Sequence, residues 1–289
     1  MITWELTIYY AVLLAFALAI RSSVLRFLTA HGVTAANYEK RIIPAAAGVL
    51  IWLTAAFGLL CLNVWVAISG DAGMQDAKTV YEHYFLALTI ICCLGWTDDL
   101  IGHRQVKGLR GHLRALVKDR TVTTGLLKAA GTIVVTLWFI IELGEWRGVA
   151  YGMISLLVMT LYTNAMNLFD LRPGRAIKVF FIGCGIIATI SLLTVQQSDM
   201  WVWLLPVIAG ACALLPIDLR GRGMLGDTGA NMLGFTLGSS IAMYWDIGWQ
   251  FVALVMLVGL TLFAERYSLT AMIERVPVLN WFDQLGRHR

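Results

Sequence analysis

Apolar residues in this chain come in blocks, separated by short polar stretches, and not at the alternating spacing of a half-buried strand or soluble helix. A block of about 20 apolar residues is long enough to cross a bilayer as a helix. Nine such blocks occur, at about 4–28, 43–68, 80–97, 124–143, 149–167, 177–195, 200–217, 229–245 and 249–265. They predict an all-α, polytopic bundle forming a single integral membrane domain over 1–289. The connections on one side are expected at about 29–42, 98–123, 168–176 and 218–228, with a tail at 266–289. The stretch 69–79 on the other side reads as a solvated loop. The first block follows Met1 without a basic leader or small-residue cleavage site, so it reads as a retained helix.

Composition removes the soluble alternative. The 289 residues are 59% hydrophobic and 14% charged, whereas soluble domains carry about 25% charged residues. The five Cys lie inside apolar blocks without metal-type spacing and read as packing residues. Basic residues set the orientation. With the N-terminus outside, 20 of the 22 Lys and Arg fall on the cytoplasmic side, and only Lys78 and Arg147 lie opposite.

The same orientation gathers carboxylates at the cytoplasmic ends of the blocks. Ionised groups beside hydrocarbon are expensive and mark functional sites. Asp98-Asp99 follows Gly95-Trp96-Thr97, and adjacent carboxylates suit a hard divalent cation or the orientation of a nucleophile. Asn164, Asn167 and Asp170 share one helical face by their offsets of three. Three oxygen donors there point to metal or sugar contacts, against the plainer reading as a capping cluster. Gly226-Asp227-Thr228-Gly229 opens a helix whose free N–H groups would hold an anion. The plainer reading of Asp227 is an N-cap. The basic loop after Asp99 carries Lys107 and Arg110, candidates for a phosphate clamp beyond the general anchoring role of such loops. Gly234 and Gly238 read as a helix-packing stripe.

These three motifs, in this order and on one side, resemble the polyprenyl-phosphate N-acetylhexosamine-1-phosphate transferase superfamily. That superfamily makes the first lipid intermediate of peptidoglycan and primes other surface glycans. The resemblance covers nearly the whole chain. It implies about nine to ten spans, a bacterial plasma-membrane location and a cytoplasmic active site. It also implies transfer of a sugar 1-phosphate from a UDP-sugar to polyprenyl (undecaprenyl) phosphate with release of UMP. The implied cofactor is Mg²⁺, with Mn²⁺ as the alternative. The partners are the lipid phosphate, the UDP-sugar and the bilayer, with a homodimer as one assembly and no nucleic acid.

Carried onto this chain, Asp98, Asp99 and Asp170 take catalytic roles. Asp227 and Asn167 hold the metal. Lys107, Arg110, Lys128, Asn164 and Arg175 contact substrate. Lys128 is assigned by its place early in the fourth helix, and Asn37 to Gly48, with Arg41 and Pro44, is similar to the family's first cytoplasmic loop. Two departures stand out. Leu171-Arg172-Pro173-Gly174 replaces a Gly-x-Asp-Gly stretch, and Glu265-Arg266-Tyr267-Ser268 stands where relatives carry a His-rich loop. They keep open a non-catalytic relative or polyprenyl-phosphate carrier. A solute transporter fits less well, because the acids cluster at the ends of the blocks and not at their centres. The final stretch 276–289, with Trp281-Phe282 among charges, reads as an interfacial helix.

Overall fold

In a computed structural model, residues 3–102, 111, 116, 118, 120–193 and 200–287 are described. Nine long helices follow the apolar blocks one for one: α1 (Thr3–Ala30), α2 (Val49–Ser69), α3 (Ala72–Ile101), α4 (Thr124–Glu142), α5 (Val149–Phe169), α6 (Arg175–Leu193), α7 (Met200–Leu219), α8 (Gly226–Tyr244) and α9 (Ile247–Arg266). Two short helices close the chain, α10 (Leu269–Arg275) and α11 (Pro277–Gln284). Seven of the described helices, all the long ones except α6 and α8, are long and apolar enough to cross a membrane.

The all-α expectation needs one amendment. β1 (Thr34–Ala36) and β2 (Ile42–Pro44) form an antiparallel hairpin, with Ala35 opposite Ile43. Asn37 closes its turn, because Oδ1 accepts from both Glu39 N and Arg41 N at 2.9 Å. The second block therefore begins as strand, and helix α2 starts only at Val49. The expected loop at 69–79 is also mostly helix. Asp71 accepts from Gly73 N at 2.9 Å and from Met74 N, so α3 starts at Ala72 and the connection shrinks to Gly70-Asp71. Here the carboxylate that was expected to be merely solvated caps two free N–H groups. At its other end α3 continues through Asp98 and Asp99, which lie on the helix and not in a loop.

Burial inverts the pattern of a soluble protein. α8 sits in the centre and packs most extensively on α5 and α3, with α6 also against it. Polar Thr228, Asn231, Thr236, Ser239 and Ser240 of α8 are buried, while Val252, Val255 and Met256 of α9 are exposed. Lipid chains are as apolar as the core, so helix association in a membrane depends on close fit and internal hydrogen bonds. Gly234 and Gly238 supply the fit, since a Cβ there would lie 2.4 Å from Tyr162 O and 2.7 Å from Met159 Cα on α5. Hydroxyls on α8 return to their own helix, as in Ser240 Oγ to Thr236 O at 2.7 Å, or cross to a neighbour, as between Thr236 and Tyr84 at 2.6 Å.

One end of the bundle carries the last turns of α1, α3, α5, α7 and α9 together with the hairpin. There the hairpin's exit pairs with the segment before α8. Met224 N donates to Pro44 O, Ala47 N to Met224 O and Gly48 N to Leu225 O, at 2.9, 2.9 and 3.0 Å. The C-terminal helices fold back over the same end. Arg175 makes a two-pronged ion pair with Asp283 at 2.7 and 2.8 Å, and Arg287 adds bonds to the same carboxylate at 2.6 and 3.0 Å. Lys178 Nζ donates to the carbonyls of Phe282 and Asp283 at 3.0 and 2.8 Å. α11 is thus latched through the buried Asp283, while its Val278, Leu279 and Trp281 are exposed.

Burial alone would raise the Asp283 carboxyl, but hydrogen bonds and charge from Arg175 and Arg287 outweigh it and hold the group below the ordinary carboxylate range. Removing one partner of a buried pair costs about 3–5 kcal/mol. Asp283→Ala should therefore lower the melting temperature of the detergent-solubilised protein. The folded-state depression means that the latch's contribution is complete above the unfolded value of about 3.9 and is lost as pH falls below it. The difference in melting temperature between wild type and Asp283→Ala should thus be steady at neutral pH and shrink only on acidification below about 4. A difference that instead shrinks as pH rises from neutral would contradict the latch.

Candidate active site

The carboxylates from three separate helices meet at the hairpin end of the bundle. Asp99, on the last turn of α3, faces the first turn of α8. Its Oδ1 accepts from Asp227 N at 2.9 Å, and its Oδ2 accepts from Thr228 N at 2.9 Å and Thr228 Oγ1 at 2.6 Å. The expected free N–H groups of that helix start are therefore occupied by a carboxylate from another helix. The helix dipole favours a negative charge at this position as well. Such an approach requires missing side chains. A Cβ on Gly95 would lie 2.6 Å from Asp227 O, and one on Gly226, whose φ is +72°, would lie 2.6 Å from Asp99 Oδ2.

Asp98, the adjacent residue on α3, reaches both Lys128 of α4 and the Asp227 carboxylate of α8. Lys128 Nζ donates to Asp98 Oδ2 at 3.3 Å and makes a closer bond to Asp227 Oδ2. Both carboxylates and the ammonium are half-buried. The lysine assigned by position alone thus joins two of the motif acids. Asp170 caps α5 and takes a hydrogen bond from the Gly226 N–H. Burial, and then the charges of Asp218, Asp227 and Asp99, hold its carboxyl well above the usual range.

Asn167 lies one turn before Asp170 and donates from Nδ2 to Asn231 Oδ1 at 2.6 Å. Asn231 is four residues after Asp227, so Asn167 sits about one helical turn along α8 from that carboxylate. The Asn167 Oδ1 atom is buried with no hydrogen-bond partner. Asn164 continues the face outward and is exposed.

One assigned residue is placed differently. Arg175 is buried, and its donors go to Asp283 and to Thr270 Oγ1, so it holds the C-terminal latch. Lys107 and Arg110 lie outside the described residues. One carboxylate was not singled out from sequence. Asp218, at the end of α7, is 4% exposed, accepts from Gly174 N at 2.7 Å and stands next to Asp170. Its signal was a lone acid ending a Leu-Leu-Pro-Ile run, the same signal that marked Asp98.

The described residues fit a bound cation. Five carboxylates (Asp98, Asp99, Asp170, Asp218 and Asp227) share one end, where Lys128 pairs with Asp98 and Asp227 while Lys178 and Arg287 lie on the Asp218 side. In the Asn167–Asn231 pair beside them, Asn167 Oδ1 and Asn231 Nδ2 are both buried without a partner, and the oxygen is the atom a cation could use. Among the described residues no three or more His, Cys, Asp or Glu side chains are grouped so that they alone could hold a metal ion. Mg²⁺ typically takes one or two carboxylates and completes its shell with water and substrate phosphates.

The sequence matches the family model described as Glycosyl transferase family 4 over residues 82–245, more than half of the chain. That stretch contains Asp98, Asp99, Lys128, Asn167, Asp170 and Asp227, while the hairpin and the C-terminal latch lie beyond it. The chain belongs to glycosyl transferase family 4, within the polyprenyl-phosphate hexosamine-1-phosphate transferase superfamily.

Proposed function

We propose that this protein transfers a sugar 1-phosphate from a UDP-sugar to undecaprenyl phosphate at the cytoplasmic face of a bacterial plasma membrane, in surface-glycan synthesis. The observation that carries this reading is the Asp98–Lys128–Asp227 group, held at one end of the bundle by the Asp99 contact to α8. The orientation rests on the Lys and Arg bias, which puts that end inside.

Phosphoryl transfer asks the protein mainly for positioning and charge neutralisation. An oxygen of the lipid phosphate bonds to the sugar-bearing phosphorus. The bridging P–O bond to the nucleotide phosphate breaks, and its electron pair leaves on UMP. Asp98 orients the attacking phosphate and accepts its proton when it carries one. Lys128 neutralises phosphate oxygens between Asp98 and Asp227. Asp99 is a positioning residue, since its oxygens are already engaged with the backbone and hydroxyl of α8. Asp227 and Asn167 would hold Mg²⁺, whose charge would offset that building on the leaving phosphate. Asp170 remains beside Asp227 as a second acid of the group. Lys107 and Arg110 are proposed as further phosphate contacts.

The lipid chain has a place nearby. An apolar groove of about 480 Å³ lies between Ser23, Val24 and Phe27 of α1, Val49 and Leu53 of α2, and Trp96 of α3. Trp96 is two residues from Asp98, so a chain lying there would leave its phosphate at the carboxylate end.

The deciding experiment is UMP release by purified protein given undecaprenyl phosphate, Mg²⁺ and a panel of UDP-sugars. Asp227→Ala should lower the rate by about 10²–10³-fold, the usual cost of losing one group that stabilises developing charge. Full activity in that variant would refute the metal assignment. Tight lipid-phosphate binding without UMP release from any UDP-sugar would favour the carrier, which the changed 171–174 stretch already keeps open.

The two adjacent acids should separate in their effects. Asp98→Asn should lower kcat and leave the melting temperature near wild type. Asp99→Asn should lower both, because hydrogen bonds to a charged group contribute about 1.5–3 kcal/mol and the amide faces donors with a donor of its own. Equal melting temperatures for the two variants would contradict the division of roles. Leu53→Trp, which fills the groove, should raise the KM for undecaprenyl phosphate more than that for a short-chain prenyl phosphate. An equal rise for both would move the lipid chain elsewhere.

A further inference from the structure

A second polar cleft lies at the hairpin end, separate from the carboxylate group. It has a volume of about 720 Å³ and is lined chiefly by Arg41, Ile42 and Pro44 of the hairpin and by Arg220, Gly221 and Arg222 of the α7–α8 turn. All three arginines are exposed. Arg41 shares its charge with Glu39 through a contact of 3.2 Å on a solvated surface. Neither Arg220 nor Arg222 has an ion-pair partner among the described residues. Three guanidinium groups around one cleft, against a single exposed carboxylate, suit phosphoryl oxygens, which accept forked N–H donors.

A second observation points the same way. Asn37 is 9% exposed, and its Nδ2 is buried without a hydrogen-bond partner. That atom faces the turn, since a Cβ on Gly221 would lie 3.2 Å from it. Gly221, at φ +58°, is itself part of the cleft wall, so the amide lies directly behind that wall. An unpaired buried donor costs free energy unless an acceptor arrives, and the cleft walled by arginine lies on the other side of Gly221 from this one.

We propose that this cleft is an anion site for a phosphate or phosphodiester group. Arg41, Arg220 and Arg222 contact its oxygens, and Asn37 Nδ2 is the buried donor. Ile42, 71% exposed on the cleft's edge, adds an apolar surface that a free phosphate would leave in water and a phospholipid would cover. The anionic phospholipid headgroup is therefore the favoured source over a soluble phosphate.

An occupant would also bridge two segments that matter to the first site. The hairpin exit and residues 224–225 are joined by the three backbone bonds that lead directly into Gly226 and Asp227. An anion held by Arg41 on one segment and by Arg220 and Arg222 on the other would tie them together from outside.

The test uses full-length protein in detergent and reads its melting temperature. The probes are a short-chain phosphatidylglycerol, the phosphatidylcholine of the same chain length, and inorganic pyrophosphate. Phosphatidylglycerol should raise the wild-type melting temperature at concentrations where phosphatidylcholine does not. The double variant R220Q/R222Q should need at least ten times more of it for the same shift, and R220K/R222K should retain more of the response. If pyrophosphate protects wild type as well as phosphatidylglycerol does, and the Gln variant loses that too, the site stands with a soluble phosphate as its ligand. If wild type shows no preference for either anionic probe over phosphatidylcholine, the proposal fails without recourse to the variants. It fails equally if R220Q/R222Q responds like wild type.

Discussion

The contact on which the site depends is between the Asp99 carboxylate and the first turn of α8. A helix start has N–H groups without intrahelical partners, and α8 starts inside the bundle, where water does not replace them. Leu225 precedes it and offers no side-chain cap. Asp99 supplies from α3 what the local sequence lacks, with three hydrogen bonds of 2.6–2.9 Å. Two helices far apart in sequence are thereby fixed to each other at the residue that orients Asp227. The glycines at 95 and 226 are consequences of this contact, because any side chain there would occupy the space of the carboxylate or of the backbone it holds.

With Asp99 committed, the electrostatics of the remainder become sharper. Like charges at close range oppose joint ionisation, yet Asp98 and Asp227 share Lys128, and Asp170 and Asp218 stand together beside them, with Arg287 and Lys178 on the Asp218 side. Full ionisation of the whole group is therefore favoured by any further positive charge that arrives there. The Asn167–Asn231 pair is held by one hydrogen bond and leaves one acceptor and one donor, Asn167 Oδ1 and Asn231 Nδ2, unpaired.

Much of this was legible in the sequence, for physical reasons that differ by residue. Nine apolar blocks became nine long helices because membrane length is a strong constraint on composition. The acids at block ends were visible because hydrocarbon makes them costly, and three motifs at such ends did converge. Three things were hidden. Asp71 capping α3 from a polar stretch looks identical to a solvated acid in sequence. The split between Asp98 and Asp99 depends on which way each faces across a helix, which adjacency does not reveal. Arg175 read as a substrate contact, one of the basic residues able to neutralise phosphate oxygens. Its partner, Asp283, is over one hundred residues away, and no local pattern points to it.

That distant partner bears on the most conspicuous departure from the family pattern. The turn 171–174 lacks the second acid of related sequences, yet it is held from several sides. Arg287 Nε donates to Pro173 O at 2.8 Å, Gly174 N donates to Asp218 at 2.7 Å, and Arg175 begins the ion pair with Asp283. Asp170 stands at the near end of this turn, within the carboxylate group. Its position is therefore set by the C-terminal latch as much as by α5. Asp218, meanwhile, brings a carboxylate from α7 to the side of Asp170, where the turn itself provides none. The acid missing from the motif leaves the group rich in carboxylates, because a neighbouring helix contributes one and the latch keeps the turn against it.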